Sequence, residues 1–522
     1  MLLKLKLFVA LSTAVSTAAA ADTRKLTSFQ ACGGGFATMT QAMGMTRALA
    51  NIDALDQITH VGSNSGGNWF ASQLFYSASF YGNLTDPSVD LGEFIILWGT
   101  EYGAAMAAAV DSGAAWANVI DTGTFSKAHP LCSATAKLVA KLGPLLAGRD
   151  MPFWVWLPYV AAMLKPWIAD IETATYGTRA MTGLATATLV QQTTLAPDAY
   201  LDNDVLATRS ITYRENYTLH TNSTSYVVPL GHVRPASGDD QPGWLLNSQV
   251  ADLSAVTDAR DAQPYNLLAP RDPLIVEIAS ASSSAMGLLT SPTMLQEWTP
   301  GSKHPFGDCL PLGAETLSGP MLVPDAVLPT GDAALTYTAG ASDLLYRYMD
   351  GAMSDNSNAA MTLGRMQAEC TANGGVGCED GFRMIIAGGS CQSTLFYDAS
   401  HPPGSFIGPN DGGFNNPIPT IFAEAQPAES AFTVYASVDL YNNGSRSDAT
   451  YWRGTLTTVD NEWYGVACGS SVELLYFTGI YDTMEAPGKH TEEYFAHFCA
   501  QTAPAQAAGA APILQQFLGA SQ

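Results

Sequence analysis

Two short strand-like runs near the N-terminus are each followed by a cluster of glycines and then by apolar residues at helical spacing. In the first, Leu26-Thr27-Ser28-Phe29-Gln30-Ala31 reads as a strand, Gly33-Gly34-Gly35 as a turn, and Met39, Met43, Met45, Leu49 and Ile52 as the inner side of a helix. In the second, Ile58-Thr59-His60-Val61 reads as a strand, Gly62-Ser63-Asn64-Ser65-Gly66-Gly67 as a turn, and Trp69, Phe70, Leu74 and Phe75 as a helix face. Two strand-turn-helix units in succession imply a parallel α/β layout, because parallel neighbours need a crossover and a helix supplies it.

The rest of the composition allows such a layout. The chain has 522 residues, 47% of them hydrophobic and 10% aromatic, which is ample for a large core and excludes a disordered chain. Against 23 basic residues stand 47 acidic ones, a formal charge of −24. No Lys/Arg cluster exceeds Arg24-Lys25, so a nucleic acid is excluded as partner and any lipid contact has to be apolar rather than charge-driven.

Residues 1–21 have the layout of a secretory signal peptide: Lys4 and Lys6, an apolar run from Leu7 to about Val15, then Ala18-Ala19-Ala20-Ala21 before Asp22. Four glycosylation sequons, at Asn83, Asn216, Asn222 and Asn443, and eight cysteines agree with a secreted or lumenal protein. Cys370 and Cys378 flank a Gly-rich loop that can close on itself and are the expected disulfide, and Cys32 is expected as a buried thiol. No Cys-x-x-Cys or His-x-x-x-His spacing points to zinc, so neither metal nor cofactor is expected.

Further along, Tyr102 to Ile120 is Ala-rich and reads as a helix. Met151 to Leu164 is the most apolar stretch of the mature chain and reads either as core or as a lid or docking surface. Leu274-Ile275-Val276-Glu277-Ile278 and Phe432 to Val438 read as strands, and 503–522 as a tail that frays.

Three elements carry chemistry. Ser65 stands between a strand and a helix, where a tight turn exposes a hydroxyl and a helix N-terminus favours developing negative charge; Gly66 and Gly67 supply the small neighbours such a turn needs, while Ser63 replaces the glycine usual two residues earlier. Gly33-Gly34-Gly35 can turn backbone N–H groups toward one point, as an oxyanion requires. Asp411-Gly412-Gly413 places a carboxylate on a turn, ahead of Asn416-Pro417-Ile418-Pro419.

Together, Gly33-Gly34-Gly35-Phe36, Ser65-Gly66-Gly67-Asn68-Trp69 and Asp411-Gly412-Gly413 resemble the patatin-like superfamily, in particular its secreted lysophospholipase/phospholipase B branch and the related cytosolic phospholipases. Ser437-Val438-Asp439 and Cys499 add to the likeness. The resemblance implies an α/β fold with a mainly parallel central sheet flanked by helices and a large inserted cap or lid. The catalytic domain would then span 22–522, with its core at about 22–100 and 380–500 and the insertion at about 100–380. It implies lipid acyl hydrolysis by a Ser65–Asp411 dyad with an oxyanion hole from Gly33, Gly34 and Gly66, without calcium. The substrate would be a lysophospholipid, a phospholipid or another lipid ester, met at a membrane or micelle surface; no protein partner is inferable.

Relatives carry an Arg directly after the Gly-Gly-Gly-aromatic motif, where this chain has Ala37, which leaves the head group open. Two other readings stay open: an esterase using Ser65 with His490 or His497 in a Ser-His-Asp triad, and a secreted glycoprotein that binds lipid without turning it over.

Overall fold

A computed structural model of the chain describes residues 25–111, 188–195, 226–228, 231–233, 248–250, 275–283, 319–322, 345–388, 402–405, 416–423 and 494–520, with most of 160–171 and of 429–480. Its strands are β1 (Thr27–Ala31), β2 (His60–Asn64), β3 (Thr188–Leu195), β4 (Tyr226–Val228), β5 (Gly231–Val233), β6 (Ser248–Val250), β7 (Gly319–Leu322), β8 (Leu345–Asp350), β9 (Phe382–Gly388), β10 (Thr433–Val438), β11 (Ser447–Thr457) and β12 (Ser471–Thr478). The helices used below are α1 (Gly35–Asn51), α2 (Ser65–Tyr76), α3 (Ala78–Thr85), α4 (Leu91–Asp111), α5 (Ile275–Ser282), α6 (Ala352–Asp355), α7 (Ala359–Ala372), α8 (Ile418–Ile421) and α9 (Ala500–Leu518).

One sheet runs in the order β10-β11-β12-β9-β1-β2-β3-β8-β7, with β6 also on β3. Its centre, β12-β9-β1-β2-β3, is parallel and its flanks are antiparallel. The α/β class is therefore that expected, and β1 and β2 are neighbours in parallel as their repeated pattern requires. Both are buried at every position, the mark of strands covered on both faces. β1 and β2 pair Ala31 with Ser63, so the turns that follow them leave the sheet at the same edge, side by side. In open parallel sheets that carboxyl edge is where ligands bind.

α1 packs against α2, α4 and α9, while α7 packs on β2 and β9. The apolar stretch beyond 159 belongs to the core: Val160, Met163 and Leu164 are buried, and Trp167 sits edge-on to Phe80 and Phe94. Residues 151–159 lie outside the described residues.

Three expectations are corrected. From Ile275 on, the run is helix α5, not a strand: Ile275, Ala279, Ser282 and Ser283 recur at spacings of four, three and one and are buried together, a period that alternation from one residue to the next cannot give. The C-terminal segment is not a fraying tail, since α9 buries Ala503, Ala507, Ala510, Leu514 and Phe517 along one side, and the absence of a Cβ at Gly44 lets α1 approach the Ala503 carbonyl. The segment between 100 and 380 is not cap alone, because β3, β6, β7 and β8 join the central sheet.

The Cys370–Cys378 disulfide is present, with Cα atoms 6.0 Å apart, and Cys32 is buried with its Sγ 3.9 Å from the Ser357 carbonyl. Among the described residues no helix is long and apolar enough to cross a membrane.

Candidate active site

Ser65 is the first residue of α2 and has φ +49°, a left-handed backbone that a residue with a Cβ adopts only when its surroundings impose it. The residue before it, Asn64, is still extended, so the chain reverses direction within one peptide. Neighbouring glycines make room for the turn. A Cβ at Gly66 would run into the Gly35 peptide, and one at Gly67 into the Ala31 carbonyl. Ser63, the departure from the usual motif, is buried.

The glycine turn comes to the same place. A Cβ added at Gly33 would lie 3.1 Å from Ser65 Cβ. Gly34 is exposed at the head of α1 with φ +143°, and Gly35 follows at φ +63°. Of the expected oxyanion donors, Gly33 is not available: its N–H donates to the Asn356 carbonyl at 2.9 Å. The Gly66 N–H belongs to the first turn of α2, where no intrahelical acceptor exists.

Asp411 lies outside the described residues, as do Asn216, Asn222 and His490. The segment that follows Asp411 packs as α8 against α7, with Asn461 donating to Thr420. Asp439, at the end of β10, accepts the Gly444 N–H at the opposite end of the sheet order from β8.

The carboxyl that the structure does bring to Ser65 is Asp350, which the sequence reading missed. Register explains the meeting. β3 pairs Gln192 with Asn64 on one side and Thr193 with Asp350 on the other, so the last residue of β8 stands at the level of the elbow. Asp350 is wholly buried, Oδ1 accepts the Ala352 N–H at 2.8 Å, and the Ser65 and Asn64 side chains stand close enough to favour its ionised form. Oδ2 has no well-formed partner of its own. Burial pushes this carboxyl up to about 7, opposed by the Ala352 N–H and by the Ser65 and Asn64 side chains. The sequence carries only a weak local sign of it: an aromatic-rich strand, Leu345-Tyr346-Arg347-Tyr348-Met349, ending in Asp350-Gly351-Ala352, the same Asp-Gly-small pattern as at Asp411.

Around this pair the polar groups interlock. Asn64 Nδ2 lies 3.4 Å from Asn356 Oδ1, and Asn358 donates to the Ser63 carbonyl at 3.1 Å. Asp355 is also buried and pushed up to about 6, but it accepts from the Ser357 hydroxyl and from the Ala360 and Met361 N–H groups in the first turn of α7, so its carboxyl is engaged there.

Among the described residues, the histidines stand elsewhere. His60 is buried at the start of β2, bonded to Thr59 Oγ1 at 2.9 Å and Glu369 Oε2 at 3.1 Å, and His497 is exposed on the turn leading into α9. Arg47 does not substitute for the cation missing at Ala37. Its guanidinium donates to the carbonyls of Leu84, Val89 and Asn83 at 2.6, 2.7 and 2.8 Å, and burial lowers its pKa. Among the described residues no group of His, Cys, Asp and Glu could hold a metal ion.

No protein-family model and no curated protein matches the chain. Among solved structures, human GIVD cytosolic phospholipase A2 aligns with it at TM-score 0.37 and 11% identity, over 96% of this chain and 60% of that one. The chain thus spans about 60% of that protein's length.

Proposed function

We propose that the protein is a serine-dependent carboxylic ester hydrolase acting on lipid acyl esters, with Ser65 as nucleophile and Asp350, in place of Asp411, as its base. The observation that carries this reading is the placement: a serine held at positive φ on a strand-helix elbow, with a buried carboxyl brought beside it by the register of β3. A carboxylate at its ordinary pKa is a weak base, and one raised to about 7 is matched to proton transfer near neutrality.

In this mechanism the Ser65 oxygen attacks the ester carbonyl carbon while its proton passes to Asp350. The tetrahedral oxyanion is held by the N–H groups of Gly34 and Gly66 at the heads of α1 and α2, where both helix dipoles favour negative charge. Collapse expels the alcohol, which takes the proton back. Water then attacks the acyl-Ser65 ester, giving its proton to Asp350, and Ser65 leaves as the hydroxyl with that proton.

Lipid as the substrate class is supported by the three motifs at 33–36, 65–69 and 411–413 and their resemblance. Neither Ala37 nor Arg47 offers a cation to a phosphate head group, which favours lipid esters whose recognition does not depend on one there. The leader at 1–21, the sequons and the Cys370–Cys378 bridge support export into an oxidising compartment.

The test is labelling with a fluorophosphonate probe followed by a lysophospholipid and neutral-ester panel. Wild-type protein should label and hydrolyse, and Ser65→Ala should do neither. A wild-type chain that stays unlabelled and inactive on the whole panel would leave a lipid-binding protein as the better reading.

A further inference from the structure

Ser282 closes α5 and reaches both halves of the proposed catalytic pair. Its hydroxyl oxygen accepts the Ser65 N–H at 3.0 Å, and its carbonyl accepts the Gly351 N–H at 3.3 Å, one residue after Asp350. The last carbonyls of a helix have no intrahelical donors, so the end of α5 is where a backbone acceptor can be turned on another segment. The next residue extends the clip: Ser283 Oγ accepts the Trp69 Nε1–H at 3.0 Å while donating to the Ala279 carbonyl at 2.6 Å. Trp69 in turn packs on Phe36, which follows the glycine turn.

α5 is seated for this task, packing on α2, β3, β7 and β8 at once. Ser282 is wholly buried, so water cannot replace its hydroxyl as the acceptor for Ser65. The bond falls on the N–H of the very residue whose backbone is left-handed. Without it, a buried donor loses its partner and the turn loses a restraint that opposes relaxation to negative φ.

We infer that Ser282 is a positioning residue for ester hydrolysis: through one hydroxyl and one carbonyl it fixes the Ser65 backbone and the Asp350 turn relative to each other, so that hydroxyl and carboxyl meet. This rests on the reading of Ser65 and Asp350 as the reacting pair. Ser282 touches neither substrate nor transferred proton. Its contribution is orientation, and a displacement of about an ångström between reacting groups is enough to cost on the order of 10²-fold in rate.

The experiment uses the full chain, p-nitrophenyl butyrate as substrate and fluorophosphonate titration to count reactive sites, so that rates are given per reactive serine. Ser282→Ala should lower kcat about 10- to 100-fold per site with KM within about twofold of wild type, because orientation acts on the transition state and not on ground-state binding. Ser282→Thr, which keeps the acceptor oxygen, should recover most of the lost kcat. Should the alanine variant fail to fold, Ser282→Cys, similar in shape with a weak acceptor, gives the same reading with a smaller loss. A Ser282→Ala or Ser282→Cys protein with wild-type kcat per site overturns the inference, as does a loss that appears entirely as fewer titratable sites. Ser65→Ala and Asp350→Asn run in parallel: if either keeps wild-type activity, the catalytic pair fails and the positioning role fails with it. If both are inactive and Ser282→Ala is unimpaired, only the positioning role falls.

Discussion

Asp350 stands beside Ser65 because β3 is shared: Gln192 pairs with Asn64 on one side of it and Thr193 with Asp350 on the other. The placement is a consequence of sheet register, and a one-residue slip would send every side chain of β8 to the other face. Asp350→Asn keeps the shape of the side chain and removes the base. It should lower kcat by about 10²–10⁴-fold while leaving KM for an ester within a few-fold. Asp411→Asn, made alongside, should keep most of the activity. Assays of the two variants side by side decide which carboxyl serves Ser65, and the opposite ranking would restore Asp411 to that role.

The pH dependence follows from the burial of the same carboxyl. Asp350 has to be ionised to accept a proton, and its pKa is raised to about 7, so kcat should climb through that pH and level off above it. Stability should move the other way. A carboxyl whose folded pKa is above its unfolded value holds its proton more tightly when folded, so its contribution is fully present below about pH 4 and is lost as pH rises through about 7. Asp355, raised to about 6, acts in the same direction. Asp350→Asn should therefore melt close to wild type at about pH 4, and be more stable by ~2–4 kcal/mol at pH 8. Melting curves across that range check the sign, and a variant less stable than wild type at pH 8 would contradict the burial argument.

Much of this site was readable from the residues, and what was not has a physical cause. Ser65 and the glycine turn were legible because their chemistry is local: a tight turn needs small neighbours, and Gly66 and Gly67 record this in the sequence. Asp350 was not, because an Asp-Gly pair occurs at any ordinary turn and only strand register, set by long-range pairing, singles this one out from Asp411. Gly33 illustrates a different limit. Composition shows that a backbone N–H is present, but not that Asn356 takes it. α5 was misread since Leu274-Ile275-Val276 has strand propensity, and packing against α2 and the sheet overrode it. α9 was misread as a fraying tail, yet its alanines are what allow two helices to approach closely.

Close approach of backbones makes another expectation. A Cβ at Gly67 would collide with the Ala31 carbonyl, the last residue of β1, so Gly67→Ala has to push α2 and the Ser65 elbow away from the glycine turn. Activity should fall more than about 100-fold even in protein that remains folded, since both the nucleophile and the oxyanion donors shift. Gly82→Ala is the control. Nothing lies within 4 Å of its added Cβ in α3, and it should gain up to ~1 kcal/mol from helix propensity with activity unchanged. Rates and melting temperatures of the two variants separate a steric requirement at the elbow from a general intolerance of alanine.

Arg47 provides the last test, because it is the cation nearest in sequence to the position where relatives carry one. Its guanidinium reaches three carbonyls, those of Leu84, Val89 and Asn83, and so ties α1 to the end of α3 and the turn before α4. A planar fork can satisfy three acceptors at once, whereas a lysine ammonium at the end of a flexible stem cannot. Arg47→Lys should therefore lower stability by ~2–4 kcal/mol, the cost of leaving buried carbonyls without donors. The ratio of kcat/KM for a lysophospholipid to that for a neutral monoacyl ester should stay within about twofold of wild type, because the side chain points into the fold and not at a head group. A selective loss on the phosphate-bearing lipid, with the neutral ester unaffected, would instead make Arg47 a substrate contact and reassign its three carbonyl bonds to a resting arrangement.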